Sequence, residues 1–226
     1  SHSIASAVSF QSQLGLIFKN RPFLYVMGIY LCAWVTMQTT AALLPYAIVN
    51  VMRLKEQDFT QVAIAVQLTA MLMMLVWNAA RQWVGKRAIY FMGIPLWIVA
   101  LLGIAFLQPG QVGWMYGLAV LAGVGSSAAL LVPWSMLPDV IDLDELQSGQ
   151  RREGIFYAFT MQFQKIGVAI ALFLVGKSLD WAGFVPTSAG QHAPTQPETA
   201  LSVIRLEFGL VPVIVLIGSL VLAYFY

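Results

Sequence analysis

Residues 154–175 read GIFYAFTMQFQKIGVAIALFLV. At ~1.5 Å per residue this run is long enough to cross a bilayer as a helix. Lys165 lies in its middle, with roughly ten residues on either side, too deep to reach the headgroups easily. An unpaired cation there costs at least ~2.5–3.5 kcal/mol on insertion scales. No carboxylate lies at matching depth in the rest of the chain; Glu153 and Glu207 sit near the edges of apolar runs. Lys165 therefore has two readings. In one it is satisfied locally by a backbone carbonyl or water. In the other its counter-charge comes from a missing segment, a second copy or a bound anion. Met161, Gln162, Val168 and Ala169 share its helical face, polar on one half and small-residued on the other.

The rest of the chain is of the same kind. Of 226 residues, 59% are hydrophobic and only 10% charged, and the mean hydropathy is +0.78. Soluble domains carry about 25% charged residues, so composition alone indicates a membrane protein. A net charge of +2 is too small and dispersed for nucleic acid. One cysteine, Cys32, allows no internal disulfide, and the two histidines, His2 and His192, lie outside the apolar runs, so no metal set is expected. No nucleophile–histidine pairing, His-Glu-x-x-His or phosphate-binding glycine loop occurs, so no enzyme activity, catalytic residue or cofactor is expected. The chain lacks a starting Met and stops at Tyr224-Phe225-Tyr226; it reads as a fragment of a longer protein.

Six apolar segments follow a juxtamembrane stretch, 1–22: about 23–51, 60–84, 88–107, 113–137, 154–177 and 201–226. Charged or Pro/Gly-rich breaks separate them, and an all-α bundle follows because open strands cannot satisfy their backbone in lipid. With both ends cytoplasmic, Lys19, Arg21, Arg81, Lys86, Arg87, Arg151 and Arg152 fall inside, against Arg53, Lys55, Lys177 and Arg205 outside. Seven against four favours that orientation, in the cell membrane. The third and sixth segments are nearly free of polar side chains and are expected to face lipid. The first, second, fourth and fifth carry polar residues mid-span, so one face of the bundle is built to meet water or another bundle.

Candidate cavity residues come from those polar positions. Thr36, Thr39 and Thr40 share one face of the first span; they either line a cavity or bond back to carbonyls four residues earlier. Gly123-Val-Gly-Ser-Ser127 in the fourth span gives either tight helix packing or a bendable, substrate-facing helix, with Ser126 and Ser127 toward the cavity. Pro133 and Pro138 interrupt the inner end of that span. The segment from Asp139 to Glu153 reads as a solvated, self-paired loop, except that Asp139 and Asp142 emerge directly from the membrane and could clamp a basic partner. Asp58-Phe-Thr-Gln61 reads as a helix-capping box.

The stretch VPWSMLPDVIDLDELQSGQRREGIFYAFTMQFQK, 132–165, with Asn20-Arg-Pro-Phe23 before the first span, resembles the glycoside–pentoside–hexuronide:cation symporters, the melibiose-permease-like family of the major facilitator superfamily. Pro133-Trp-Ser-Met-Leu-Pro138, Ile155-Phe-Tyr157 and Leu179-Asp-Trp-Ala-Gly183 are similar to the related sodium-dependent lysophosphatidylcholine symporters. The similarity covers helices seven to twelve of such a transporter. It implies an N-terminal six-helix half as partner, a small-molecule substrate, and sodium or a proton as coupling ion. It also implies that the first and fourth spans line the cavity, the second and fifth face the other half, and the third and sixth face lipid. In this resemblance Lys165 couples cation to substrate, Met161 and Gln162 beside it line the substrate cavity, and Asp139, Asp142, Arg152 and Glu153 form a cytoplasmic gate. Substrate is expected to be a sugar or related solute, or else a lysophospholipid; a self-associating six-span channel or scaffold is the reading from another class.

Overall fold

The computed structural model describes Gly15 and residues 18–186 and 194–226; most of segment 1–22, and both histidines, lie outside them. Among the described residues the chain is all helical, with six helices long and apolar enough to span a membrane.

The first span is α1, Arg21–Tyr46, continued by a π-helical turn over Ala47–Val51. Asn20 starts it: its side-chain oxygen accepts from the Phe23 N–H at 3.0 Å, satisfying one of the free donors of the first turn. Pro45 near its end has no N–H to give, and the wider π turn follows directly. Next comes α2, Glu56–Val84. Asp58 lies within its first turn rather than before it, and its Oδ2 accepts from the Lys55 N–H at 2.9 Å. The expected capping box is thus displaced, with Asp58 capping backward. Gly85, at φ +82°, is the whole turn between α2 and α3, Lys86–Phe106.

The fourth span is longer than the apolar run predicts. α4 runs Val112–Ser148, 37 residues, and ends at Gly149 in the left-handed conformation that favours glycine. Pro133 and Pro138 lie inside this helix instead of ending it. Most of the expected loop after Asp139 is therefore helix, about 55 Å of it in all against a hydrocarbon core of about 30 Å. α5 is Glu153–Trp181. The last span is two helices, α6 (Glu198–Phe208) and α7 (Leu210–Phe225), broken at Gly209. A Cβ on Gly209 would lie 2.5 Å from the Cβ of Ala105, so the break sits where α3 presses closest.

Glycines set the tightest packing. A Cβ on Gly125 would fall 2.5 Å from the Trp97 backbone nitrogen, and one on Gly123 would fall 2.6 Å from the Val66 carbonyl. Those two residues of α4 let α3 and α2 approach on adjacent sides, which is the packing role among the two readings of this stretch. The Trp77 indole N–H donates to the Val124 carbonyl at 3.1 Å across the α2–α4 contact.

Burial separates the spans. Only 11% of the most apolar window of α2 and 17% of that of α5 are buried, against 39–56% for the other four. The third span thus behaves differently from a purely lipid-facing helix: half of its window is buried, while its outward flank of Phe91, Met92, Val99 and Phe106 is entirely apolar. The absence of polar groups in α3 serves close packing on α4 as much as exposure.

Candidate functional site

Two regions hold the residues singled out by sequence: the open faces of α2 and α5, and the end of the bundle that carries Asn20, the Gly85 turn and the α4–α5 connection, here called the basic end.

On α5 the inward stripe is Phe156, Thr160, Phe163 and Gly167. A Cβ on Gly167 would lie 3.4 Å from the Val35 side chain of α1, so this stripe is what docks α5. Lys165 is two residues from both Phe163 and Gly167, about 200° around the helix from each. It therefore projects from the side opposite α1 and is exposed, together with Met161 and Gln162. Among the described residues no ion pair reaches it. Twelve residues separate it from the start of α5 and sixteen from its end, which places it near mid-helix.

The expected cavity set does not stay together. An open cleft enclosing about 790 Å³ of empty space lies among α1, α2, α3, α4 and α6. Thr40, Gln67 and Ser126 line it beside apolar Met37, Phe59, Trp97 and Phe208. Thr36, Thr39 and Ser127 are not in it; they are 2, 7 and 0% exposed, inside the packing. The physical reason is register. The side of α1 that faces the cleft is Met37, Thr40, Ala41 and Leu44, an i, i+3, i+4, i+7 set one residue on from the threonine face. Thr40 also spends its hydroxyl on the Thr36 carbonyl at 2.8 Å, the back-bonding reading of the threonine cluster. Ser127 does likewise to Val124, at 2.7 Å. Met161 and Gln162 sit apart from the cleft, on the open side of α5.

At the basic end, three of the four expected gate residues have partners within the chain. The Lys86 ammonium donates to Asp139 Oδ2 and to the Ser135 carbonyl, both at 2.7 Å. It joins the start of α3 to the turn of α4 preceding Pro138. Glu153 lies 3.2 Å from Arg151, which also reaches Glu145 at 3.1 Å. The hydrogen bond that Arg151 donates to Glu153, with the charges of Glu145 and Glu153, raises the guanidinium further above its ordinary value, so it stays charged at any physiological pH. Arg152 pairs with Asp144, Nε to Oδ2 at 3.2 Å, the two side chains being only 17 and 15% exposed. Asp142 is exposed and, among the described residues, has no ion pair.

Asp144, Lys86 and Asn20 escaped the sequence reading as site residues. Asp144 lies in an acidic run whose composition suits a solvated loop, although it is helical. Carrying the helical period past Pro138 would have found it, because Leu137, Val140, Ile141 and Asp144 follow the i, i+3, i+4, i+7 pattern and the first three are buried. Arg87 completes this end: its guanidinium donates to the Tyr224 carbonyl and lies 5.6 Å from the centre of that ring, tying α3 to α7.

Comparison with known proteins fits this architecture. A family model described as MFS/sugar transport protein matches residues 3–226. A protein of Synechocystis sp. (strain ATCC 27184 / PCC 6803 / Kazusa) named "Uncharacterized symporter sll1374" is 50% identical over 214 residues, 95% of this chain and 39% of that protein. Sodium-dependent lysophosphatidylcholine symporter 1 of Gallus gallus is 33% identical over 156 residues, 68% of this chain and 29% of its own length. A Bacillus subtilis protein named "Uncharacterized symporter YnaJ" is 30% identical over 145 residues, 64% of this chain and 30% of that protein. The chain thus spans less than two fifths of the length of these relatives. The family is one of transporters, not enzymes. With six apolar spans and a family match over nearly its whole length, the chain is a multi-pass membrane protein and belongs to the MFS/sugar transport protein family.

Proposed function

We propose that this chain forms the C-terminal six-helix half of a cation-coupled secondary symporter, with sodium or a proton as the coupling ion. It rocks against an N-terminal six-helix half, carrying a sugar or related small solute between them by alternating access. The observation behind this reading is Lys165: a mid-helix ammonium on the outward side of α5, exposed and with no ion pair among the described residues. At membrane depth such a group requires an anion nearby. Carboxylates on the companion half supply it, and cation binding there neutralises them, changing the relative energies of the two access states. Asp139, Asp142, Arg152 and Glu153 close the inner end, with both ends of this half in the cytoplasm of a cell membrane.

The test is uptake by the intact transporter in proteoliposomes, with and without a cation gradient, for wild type and Lys165→Ala. Loss of gradient-driven uptake with retained substrate exchange is expected. Undiminished coupled uptake removes Lys165 from the mechanism.

A second reading, lysophospholipid symport, draws support from the cleft and from a relative's name. Beside its three polar groups the cleft is lined by Met37, Leu44, Phe59, Trp97, Leu101 and Phe208, a surface suited to an acyl chain. Competition of labelled uptake by a panel of sugars against lysophosphatidylcholine separates the two substrates.

A further inference from the structure

Asn20 stands where the inner ends of three helices meet. Its oxygen caps α1, while its amide Nδ2 donates to Asp144 Oδ1 of α4 at 3.4 Å. The other Asp144 oxygen lies 3.2 Å from the Arg152 Nε, an ion pair without hydrogen-bond alignment, and Arg152 Nη2 donates to Oδ1 at 3.5 Å. Arg152 in turn begins α5, its carbonyl accepting from the Ile155 N–H at 3.0 Å. Directly within this polar layer Phe23 of α1 meets Phe156 of α5 edge to face, ring centres 5.0 Å apart, both rings almost fully buried. The neighbouring charges Asp142, Arg151 and Glu153 are exposed and the Glu145 side chain is 40% exposed, so Asp144 and Arg152, at 15 and 17%, are the most deeply drawn in of this run. A capping residue needs only its oxygen. The amide of Asn20 is directed to a second task.

We propose that Asn20, Asp144 and Arg152 form a latch that keeps the gate arginine within this half, and that Asn20 is the positioning residue of that latch. Closing the inner gate then requires Arg152 to leave Asp144 for an acidic surface of the companion half. The latch stabilises the inward-open state, and weakening it shifts the balance toward the closed gate. This rests on the symporter reading for the identity of the gate. Its physical content, competition between two carboxylate partners for one guanidinium, stands on the geometry.

The experiment uses the intact transporter in inside-out membrane vesicles, in a cysteine-free background (Cys32→Ser included) with Ala158→Cys on the exposed side of α5. A membrane-impermeant maleimide reports access from the inner side. Asn20→Ser keeps an oxygen able to cap α1 and removes the donor to Asp144. Labelling is expected to slow about fivefold, the weight of one modest hydrogen bond, with only a small fall in melting temperature because serine keeps the cap; Asp144→Asn slows labelling further. Unchanged labelling in both variants overturns the latch. A fall in melting temperature for Asn20→Ser without a change in labelling overturns it too, leaving Asn20 as a helix cap and nothing more. The readout needs neither substrate nor coupling ion. Slowed labelling in a protein that shows no coupled uptake therefore sinks the symporter reading and leaves the latch, whereas coupled uptake with unaltered labelling sinks the latch alone.

Discussion

Replacing Gly125 by alanine adds one methyl group where α3 and α4 touch, and the geometry fixes the sign of its effect. The new Cβ would lie 2.5 Å from both the nitrogen and the Cβ of Trp97 and 2.7 Å from the Gly93 carbonyl oxygen. Ordinary carbon contacts begin near 3.5 Å, so the helices must separate by about 1 Å locally. No flexible side-chain tip is available to yield, because two of the three opposing atoms are backbone. Overpacking of this kind costs about 1–3 kcal/mol. Against it stands a helix-propensity gain of about 1 kcal/mol for Gly→Ala. Gly117, eight residues earlier on the same helix, is the control: a Cβ there meets nothing within 4 Å, so Gly117→Ala keeps the gain without the clash. Thermal unfolding of the intact transporter in detergent should rank Gly117→Ala above wild type and wild type above Gly125→Ala. Because Trp97 and Ser126 line the cleft, the separation also reshapes its wall in Gly125→Ala alone. A Gly125→Ala protein as stable as Gly117→Ala would refute the interlocked packing of α3 and α4.

Two further expectations concern stability. The buried Tyr90 hydroxyl donates to Ser219 Oγ at 2.9 Å, and the Ser219 hydroxyl donates to the Leu216 carbonyl at 2.6 Å; Tyr90→Phe should cost about 1 kcal/mol. Adding Ser219→Ala should cost less than the two single losses summed, which a double-mutant cycle of melting curves measures. Arg53 holds φ at +56° in the exposed turn before α2 without being a glycine; Arg53→Gly should raise the melting temperature, relieving about 1 kcal/mol of left-handed strain, and a lowered value would mean that its side chain matters more than its backbone.

The fold was legible in the sequence to the extent that length and hydropathy carry it. Six apolar runs with charged breaks become six spans, because a bilayer asks little more than that of each one. Orientation about each helix axis was harder to read, since a helix apolar on all sides gives no stripe to follow. The threonines of α1 show the cost: the polar trio pointed to one face, and the cleft opened on the face one residue on. Lys165 was recognisable as exceptional from depth alone, but its outward direction emerges only once Gly167 and Phe163 are seen docking α5. Prolines misled at the other end. Pro133 and Pro138 suggested a stop, yet α4 continues, and the Lys86 ammonium bonds a carbonyl in the turn that Pro138 weakens. With the helix cut short on paper, Asp144 lost its inward register and its pairing with Arg152 went unseen.

The length of α4 has a mechanical consequence. Ser148 lies twenty-three residues beyond Gly125, about 34 Å along the axis. Pivoting α4 by about 5° where it is gripped by α3 sweeps its tip through about 3 Å at that radius. At Asp144, nineteen residues beyond Gly125, the same lean moves the helix by about 2.5 Å, a large part of the 3.2 Å separating Asp144 from Arg152. A slight lean at mid-membrane thus arrives at the rim as a made or broken contact between opposite charges, so the overhanging turns of α4 amplify tilt into an ionic signal.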